Sequence, residues 1–398
     1  MTKTRLFFLW LGASISLAEI YTGSLLAPLG LAKGIAVIIG GHIAGTAFLA
    51  FAGFISFKQN KTAMESAAFS LGEGGGKLAT VFNIIQLIGW AIVMVVQGAI
   101  IIVKLIPSIP FPLCAASLAI LVVVWTILLH SPGGGIFHNI IVCLLFILCV
   151  ILAASAGLLP VGTAQDNPLG NMTLTLAIEL TVAMPISYLP LIGDYTKNAK
   201  TKTAAAFMPF AGYFFGACLM WIAGLYISIR TGKDIFSFIT LMPFKTALCA
   251  VILLSTLSTT FIDLYSASVS LKRFLRYEGL DARRQRLTEN KLIICTGMLV
   301  IVLASLAPVD KYSELLSLFL TAIASVFIPV YGIVFADFCL KRGKETRIFP
   351  VFKLFTVAAA CAVYHISSRF NAGIPTLNCI AVVALLSILP LVFYRSKK

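Results

Sequence analysis

The stretch LFFLWLGASISLAEIYTGSLLAPLGL, residues 6–31, is apolar enough to enter a membrane yet carries an acid, Glu19, near its middle. A bilayer core of roughly 30 Å takes about 20 apolar residues of helix, and this block meets that length. A carboxylate at such depth costs at least ~2.5–3.5 kcal/mol on insertion scales, so it faces a cavity, a partner or an ion. The neighbouring residues are small or hydroxylated (Gly12, Ala13, Ser14, Ser16, Ala18), and Gly23 and Ser24 follow one turn after the acid. The block therefore reads as a membrane span that is irregular where its acid sits. It follows Met-Thr-Lys-Thr-Arg as the core of a signal peptide would, but it is too long and lacks a small-residue cleavage site, so it is expected to stay as a helix.

The rest of the 398-residue chain repeats the pattern. Hydrophobic residues make up 60% and charged residues 11%, with a mean hydropathy of +1.01; soluble domains carry about 25% charged residues. Spans are expected at 6–31, 34–56, 78–105, 111–130, 135–158, 172–192, 204–229, 246–270, 291–308, 314–337, 348–368 and 374–394. A backbone in lipid must satisfy its own hydrogen bonds, and blocks of this length do so as helices rather than short alternating strands. The expected class is an all-α polytopic membrane protein of about twelve spans, with no soluble domain. The net charge of +15 sits at the ends of the apolar blocks, where it sets topology instead of forming a nucleic-acid face. With the N-terminus inside, only Lys33, Lys104, Arg230, Lys233, Lys245, Lys311 and Arg369 of the 30 basic residues fall outside. Both termini are thus expected in the cytoplasm, and the chain in the inner (plasma) membrane. The nine cysteines are scattered singly, and His42, His130, His138 and His365 show no ligand spacing, so no metal centre is expected. LGEGGGK (71–77) and SPGGG (131–135) lack the strand–loop–helix setting of a phosphate cradle and read as hinges between spans.

Two more acids lie inside spans: Glu179 in LAIELTVAMP and Asp263 in STTFIDLYSAS. No Lys or Arg occupies a span centre, so each acid is expected to be protonated, balanced by a cation, or bonded to a bound solute. A protonated acid joining two helices is the plain alternative for any one of them. Span 6 carries Pro185 after Met184, with Ser187, Pro190 and Gly193 beyond, and a mid-span proline removes a ladder hydrogen bond. Interrupted helices five spans apart point to an inverted repeat with its site at the breaks, and a simple proline kink is the alternative. Asn83, Gln86, Trp90 and Gln97 fall on one stripe of span 3, suited to a planar heterocycle or, equally, to interhelical packing. Ser255, Ser258 and Thr259 offer hydroxyls on span 8 that could serve a hard cation, although back-bonding to the helix is common.

At these residues the sequence resembles the nucleobase:cation symporter-1 family, and most closely its hydroxymethylpyrimidine (thiamine precursor) transporter subgroup. The resemblance is carried by WLGASISLAEIYTGSLLAPLGLAKGIAVIIGGHIAG (10–45), QLIGWAIVMVVQGA (86–99), AIELTVAMPISYLPLIGDYTKNAK (177–200) and LSTTFIDLYSASVSLKRF (257–274). It runs over spans 1–10; spans 11 and 12 are generic. IGDYTK (192–197) is similar to the family's Ser-Asp-Tyr-Ser/Thr-Arg signature, with Gly193 and Lys197 as departures. The resemblance implies a five-plus-five inverted-repeat core working by alternating access: residues 1–160 and 161–340 as the repeats, 341–398 as two accessory spans. It implies a cation site from the Ile15, Ala18 and Ser255 carbonyls and the Ser258 and Thr259 hydroxyls, with Na⁺ or H⁺ as the coupling ion and no cofactor. Trp90 matches the family's stacking tryptophan, and Met94 stands where the family has a Gln. Glu19 falls where it has a span 1 Gln, and Asp263 or Leu264 where it has an Asn. The family's second stacking tryptophan has no counterpart in the local Met184, Ser187 and Tyr188.

The expected function is secondary active import of a small heterocycle, hydroxymethylpyrimidine first, with cytosine, another nucleobase or an amino acid derivative as the alternative. Residues expected at the substrate are Glu19, Gln86, Trp90, Met94, Glu179, Met184, Ser187, Tyr188 and Asp263. An enzyme would need clustered ligands or paired acids at a membrane face, and none is evident. The expected partners are the solute and the lipid bilayer; nucleic acid and an obligate protein partner are not expected. Because a carboxylate pairs with a protonated aminopyrimidine through two charge-assisted hydrogen bonds, Glu19 is expected to be the substrate-reading acid.

Overall fold

The computed structural model describes residues 1–129, 135–159, 172–275, 277, 282–340 and 350–395, and among these the chain is helical throughout, with no strand. His130, the glycine-rich stretch through Gly134, Arg276, Lys341, Arg342, Lys344, Arg347, Lys397 and Lys398 lie outside the described residues. The first span is two helices, α1 (Lys3–Ala13) and α2 (Leu17–Ser24), continued by a 3-10 turn at Ala27–Leu29. α3 (Leu31–Gln59) and α4 (Ala63–Leu105) follow, then α5 (Phe111–Leu129) and α6 (Gly135–Leu158). The sixth span is α7 (Leu174–Ile186) plus α8 (Leu189–Thr196); the short α9 (Lys202–Ala205) leads into α10 (Phe207–Thr231). Next come α11 (Ile235–Thr240), α12 (Lys245–Phe274), α13 (Ala282–Ser305), α14 (Tyr312–Cys339), α15 (Pro350–Phe370) and α16 (Pro375–Arg395). Among the described residues, ten spans are long and apolar enough to cross a bilayer, the bent α1–α2 pair makes eleven, and α16 adds a shorter apolar helix.

The break in the first span follows from its residues. Ser14 closes α1, Ile15 is unwound, and Ser16 turns extended (φ −145°, ψ 160°) so that its hydroxyl accepts from the Glu19 amide as the N-cap of α2. The two halves meet at 54°. The sixth span is interrupted more gently than expected. Pro185 and the Ser187–Tyr188 turn end one ladder and start another, yet both turn residues keep right-handed angles, and Leu174–Thr196 remains one span. Only the first span is bent beyond 40° among the described residues.

Packing around the first span depends on a glycine stripe. Gly212, Gly216 and Gly224 of α10 lie against Phe7 and Leu11 of α1 and Ile20 of α2; a Cβ on Gly224 would stand 1.9 Å from the Ile20 carbonyl oxygen. That approach presses α1 and α2 onto α10 backbone to backbone, as small-residue stripes do in membranes. LGEGGGK is not a loop hinge. It lies inside α4, and only Gly72, at φ 79°, breaks the helix there. Beside this break Lys353 of α15 is buried, its Nζ 2.6 Å from Asp337 of α14 and 2.7 Å from the Ser70 carbonyl. A buried lysine therefore does exist, near the start of the eleventh span, satisfied by a carboxylate and by a carbonyl next to the break.

Candidate functional site

The two interruptions face each other. Tyr188, in the turn of the sixth span, donates its hydroxyl to the Ala13 carbonyl at the end of α1, at 3.0 Å. Its ring packs edge-on against Trp10 and Tyr213, at centroid distances of 5.7 and 5.4 Å. From α4, Gln86 reaches the same turn: its amide nitrogen donates to the Ser187 carbonyl at 2.9 Å and to Asn83 Oδ1 at 3.0 Å. A backbone carbonyl can only accept, so these contacts fix the amide nitrogen. Gln86 Oε1 is left buried with no partner.

Asp263 completes this group from α12. Gly98 of α4 faces Leu253 and Thr256 of α12, and the two helices are packed along their lengths. They cross the membrane in opposite senses, so about two turns back along α4 and two turns on along α12 bring Trp90 level with Asp263. Asp263 lies within electrostatic reach of Tyr188, is half-buried, and makes no hydrogen bond or ion pair among the described residues. Trp90 is buried, with Phe319 of α14 edge-on at 5.3 Å. Met94 is buried one turn further along α4; Met184 is buried in α7, and its carbonyl accepts the Ser187 hydroxyl at 2.7 Å.

The other two acids are engaged elsewhere. Glu179 does not enter the central group. Its carboxylate accepts from Tyr364 Oη at 2.6 Å and from the Thr376 amide and hydroxyl at 2.9 and 2.7 Å, tying α7 to α15 and α16. Its expected place at the substrate is corrected to an anchor for the C-terminal hairpin, because those helices supply three donors that the centre does not. Glu19 lies beside the first break, but Oε1 accepts from Tyr213 Oη at 2.7 Å and Oε2 from Trp221 Nε1, both on α10. Each oxygen thus already has a protein donor.

The oxygens expected to hold a cation stand on helices with different neighbours. The Ala18 carbonyl accepts the Thr22 hydroxyl at 2.7 Å, and the Ser255 carbonyl accepts the Thr259 hydroxyl at 2.9 Å. Ile15 lies in the unwound turn, and Ser258 is buried on α12. α2 packs mainly on α10, whereas α12 packs mainly on α4, α5, α6 and α13.

Sequence reasoning missed Tyr213, Trp221, Trp10, Tyr364 and Thr376. A signal for the first two was present: they share α10 with Gly212, Gly216 and Gly224, whose spacing of four and then eight residues marks a face in close helix contact.

No family model matches the sequence, and no curated protein matches it. Solved structures do. The chain resembles Mhp1, a nucleobase-cation-symport-1 family transporter, in a closed conformation with bromovinylhydantoin bound: TM-score 0.73 at 15% identity, over 100% of this chain and 93% of that one. Against the inward-facing conformation of Mhp1 the TM-score is 0.74 at 15% identity, over 100% and 91% of the two chains. A mutant of the Eremococcus coleocola manganese transporter gives 0.55 at 13% identity, over 100% and 96%. At these identities the likeness is one of fold.

Proposed function

We propose that the chain is a secondary active transporter that imports a small aminated heterocycle, with hydroxymethylpyrimidine as the candidate substrate, by cation-coupled alternating access. One observation carries this reading: beside the interrupted spans, Gln86 of α4 and Asp263 of α12 leave acceptors open, while Trp10 Nε1 next to Tyr188 is an unpartnered donor. Gln86 offers only its buried Oε1, and Asp263 offers a carboxylate without a protein donor. A ring that brings an amino group beside a protonated nitrogen answers both through charge-assisted bonds. An oxo-ring such as uracil or hydantoin brings N–H groups but no amino group beside a protonated nitrogen, and its carbonyls meet acceptors. Trp90 supplies an aromatic surface at the same level, and Tyr188 ties the two breaks together. Cytosine carries the same amino and ring-nitrogen edge and is the second reading.

The likeness to Mhp1 supports a heterocycle transporter and, with it, the nucleobase:cation symporter-1 resemblance of the four sequence segments. The manganese transporter shares the fold less closely, and among the described residues no group of three or more His, Cys, Asp or Glu could hold a metal ion. Repeats at 1–160 and 161–340 are supported by paired features. Each has an interrupted first helix, and each follows its second span with a short helical segment, Ala63–Leu71 of α4 in one and α11 in the other.

The test is thermal stabilisation of the purified protein by a panel of ring compounds, since a ligand of the folded state raises the melting point by mass action. Hydroxymethylpyrimidine or cytosine should stabilise, and uracil and hydantoin should not. Equal or stronger stabilisation by the oxo-rings, or by Mn²⁺ alone, would overturn the proposal.

A further inference from the structure

We infer that Glu19 is the site that carries a coupling proton; the inference rests on the reading of the chain as a transporter and names its driving ion. Glu19 stands in the first turn of α2, just beyond the break, and is 2% exposed. Its two oxygens have different partners. Trp221 Nε1 can only donate, whereas the Tyr213 hydroxyl can donate or accept. In the carboxylate both partners donate. When a proton from the aqueous phase on one side forms the Oε1–H bond, that new O–H donates to Tyr213 Oη, which turns its own hydrogen away, while Trp221 still holds Oε2. Breaking the same bond releases the proton to the other side, and nothing is oxidised or reduced. Both protonation states therefore fit one arrangement of heavy atoms.

The same donors disfavour a metal ion, because an N–H and an O–H aimed at the two oxygens leave no oxygen cage around them. No Lys or Arg pairs with Glu19 among the described residues. The titratable groups that face it are Tyr213 and Cys218 from α10 and Tyr188 from the turn of the sixth span. His42 of α3 stands across the Trp221 ring at 5.0 Å, and its Nδ1 lies 2.9 Å from the Ile38 carbonyl, an acceptor. Nδ1 thus bears the hydrogen, and buried Nε2 is bare and unpartnered. Asp234, beside α11, acts on Tyr21 rather than on Glu19, and the buried stretch of α4 holds Asn83, Gln86 and Gln97 but no charge. The proton site sits just beyond the break of the first span, where α2 packs on α10. Its charge is thus placed next to the interruption that Tyr188 ties to the turn of the sixth span.

The experiment uses the full chain in proteoliposomes without Na⁺, with hydroxymethylpyrimidine as solute and the lumen made alkaline. Wild type should accumulate the solute's protonated form about tenfold per pH unit of gradient, the limit for one Glu19 proton moved with it. Glu19→Gln can keep both contacts, its carbonyl accepting from Trp221 and its amide donating to Tyr213. It should retain solute binding by thermal shift and solute–solute exchange, yet bring the protonated form only to equal concentration on the two sides. Continued accumulation by Glu19→Gln overturns the inference, as does joint loss of binding and exchange in a variant that melts like wild type. So does accumulation lost in His42→Gln but kept in Glu19→Gln, or wild-type accumulation that requires Na⁺ at every pH. If Glu19→Gln fails to fold, Tyr213→Phe takes its place; it should shift the pH midpoint of accumulation at unchanged solute affinity, and an unshifted profile is the refuting result. Should no aminopyrimidine stabilise wild type, the substrate reading fails separately. Proton entry is then read by a lumenal pH dye with whichever panel compound does stabilise the protein, and absence of that entry refutes the proton site.

Discussion

Asp263 and Glu179 are both acids inside spans with hydroxyl-bearing neighbours in sequence, and the structure gives them opposite roles. Asp263 has no protein donor among the described residues, so Asp263→Asn removes nothing the folded chain uses. A hydrogen bond to a charged group contributes about 1.5–3 kcal/mol. Asp263→Asn should therefore weaken aminopyrimidine binding by about ten- to a hundredfold at an unchanged melting temperature, measured by titration calorimetry. Glu179→Ala should do the reverse. It leaves Tyr364 and Thr376 with buried donors and no acceptor, at about 1–3 kcal/mol for each unsatisfied group. The melting temperature should fall while solute affinity holds; a binding defect in Glu179→Ala comparable to that of Asp263→Asn would restore it to the substrate. Sequence alone could not sort these acids. The donors that claim Glu179 lie 185 and 197 residues away, and those that claim Glu19 lie 194 and 202 residues away.

Elements carried more of their own signal. The first break was legible because small and hydroxyl residues surround Glu19 and Ser16 is a strong N-cap, a local property that needs no distant partner. The glycine run at 71–77 misled because glycine's reluctance to form helix, about 1 kcal/mol per residue, is routinely overridden by packing. There Gly75 and Gly76 are buried within α4, and Gly72 alone leaves the helical region. Pro185 suggested a break as deep as the first, but the turn after it keeps right-handed angles. What the stripe of α10 does is testable at Gly224. A methyl there collides with the Ile20 carbonyl, and overpacking of this kind costs about 1–3 kcal/mol. Gly224→Ala should lower the melting temperature and, by moving α2 off Trp221, alter the near-ultraviolet circular dichroism of that indole. A variant that melts and absorbs like wild type would show that the close approach does not hold α2 in place.

Across the whole molecule, the two ends of the central group are packed differently. On the side where α2 leads outward, the Tyr21 ring stacks on Phe236 of α11 at 4.5 Å, and its hydroxyl lies 2.5 Å from Ser313 of α14. Tyr312 packs against both rings, so three helices close over that end. Toward the other end, Thr259, Asp263, Ser266 and Ser270 share one face of α12 and are all half-exposed, forming a polar path from the acid to Lys272 and Arg273. This arrangement suits a solute route open on the side that carries Lys272 and Arg273 and shut on the other. Cysteines introduced at Ser270 and at Ser313 report it directly in inside-out and right-side-out vesicles treated with a membrane-impermeant thiol reagent. The background from exposed Cys143, Cys295 and Cys339 is taken from the parent chain. Ser270→Cys should react quickly from the face that carries Lys272 and Arg273 and be protected by solute, whereas Ser313→Cys should stay unreactive from either face. Adding Tyr21→Ala removes the stacked ring and should expose Ser313→Cys from the opposite face. Rapid labelling of Ser313→Cys without that second change, with Ser270→Cys silent, would mean the open path lies on the opposite side of Asp263.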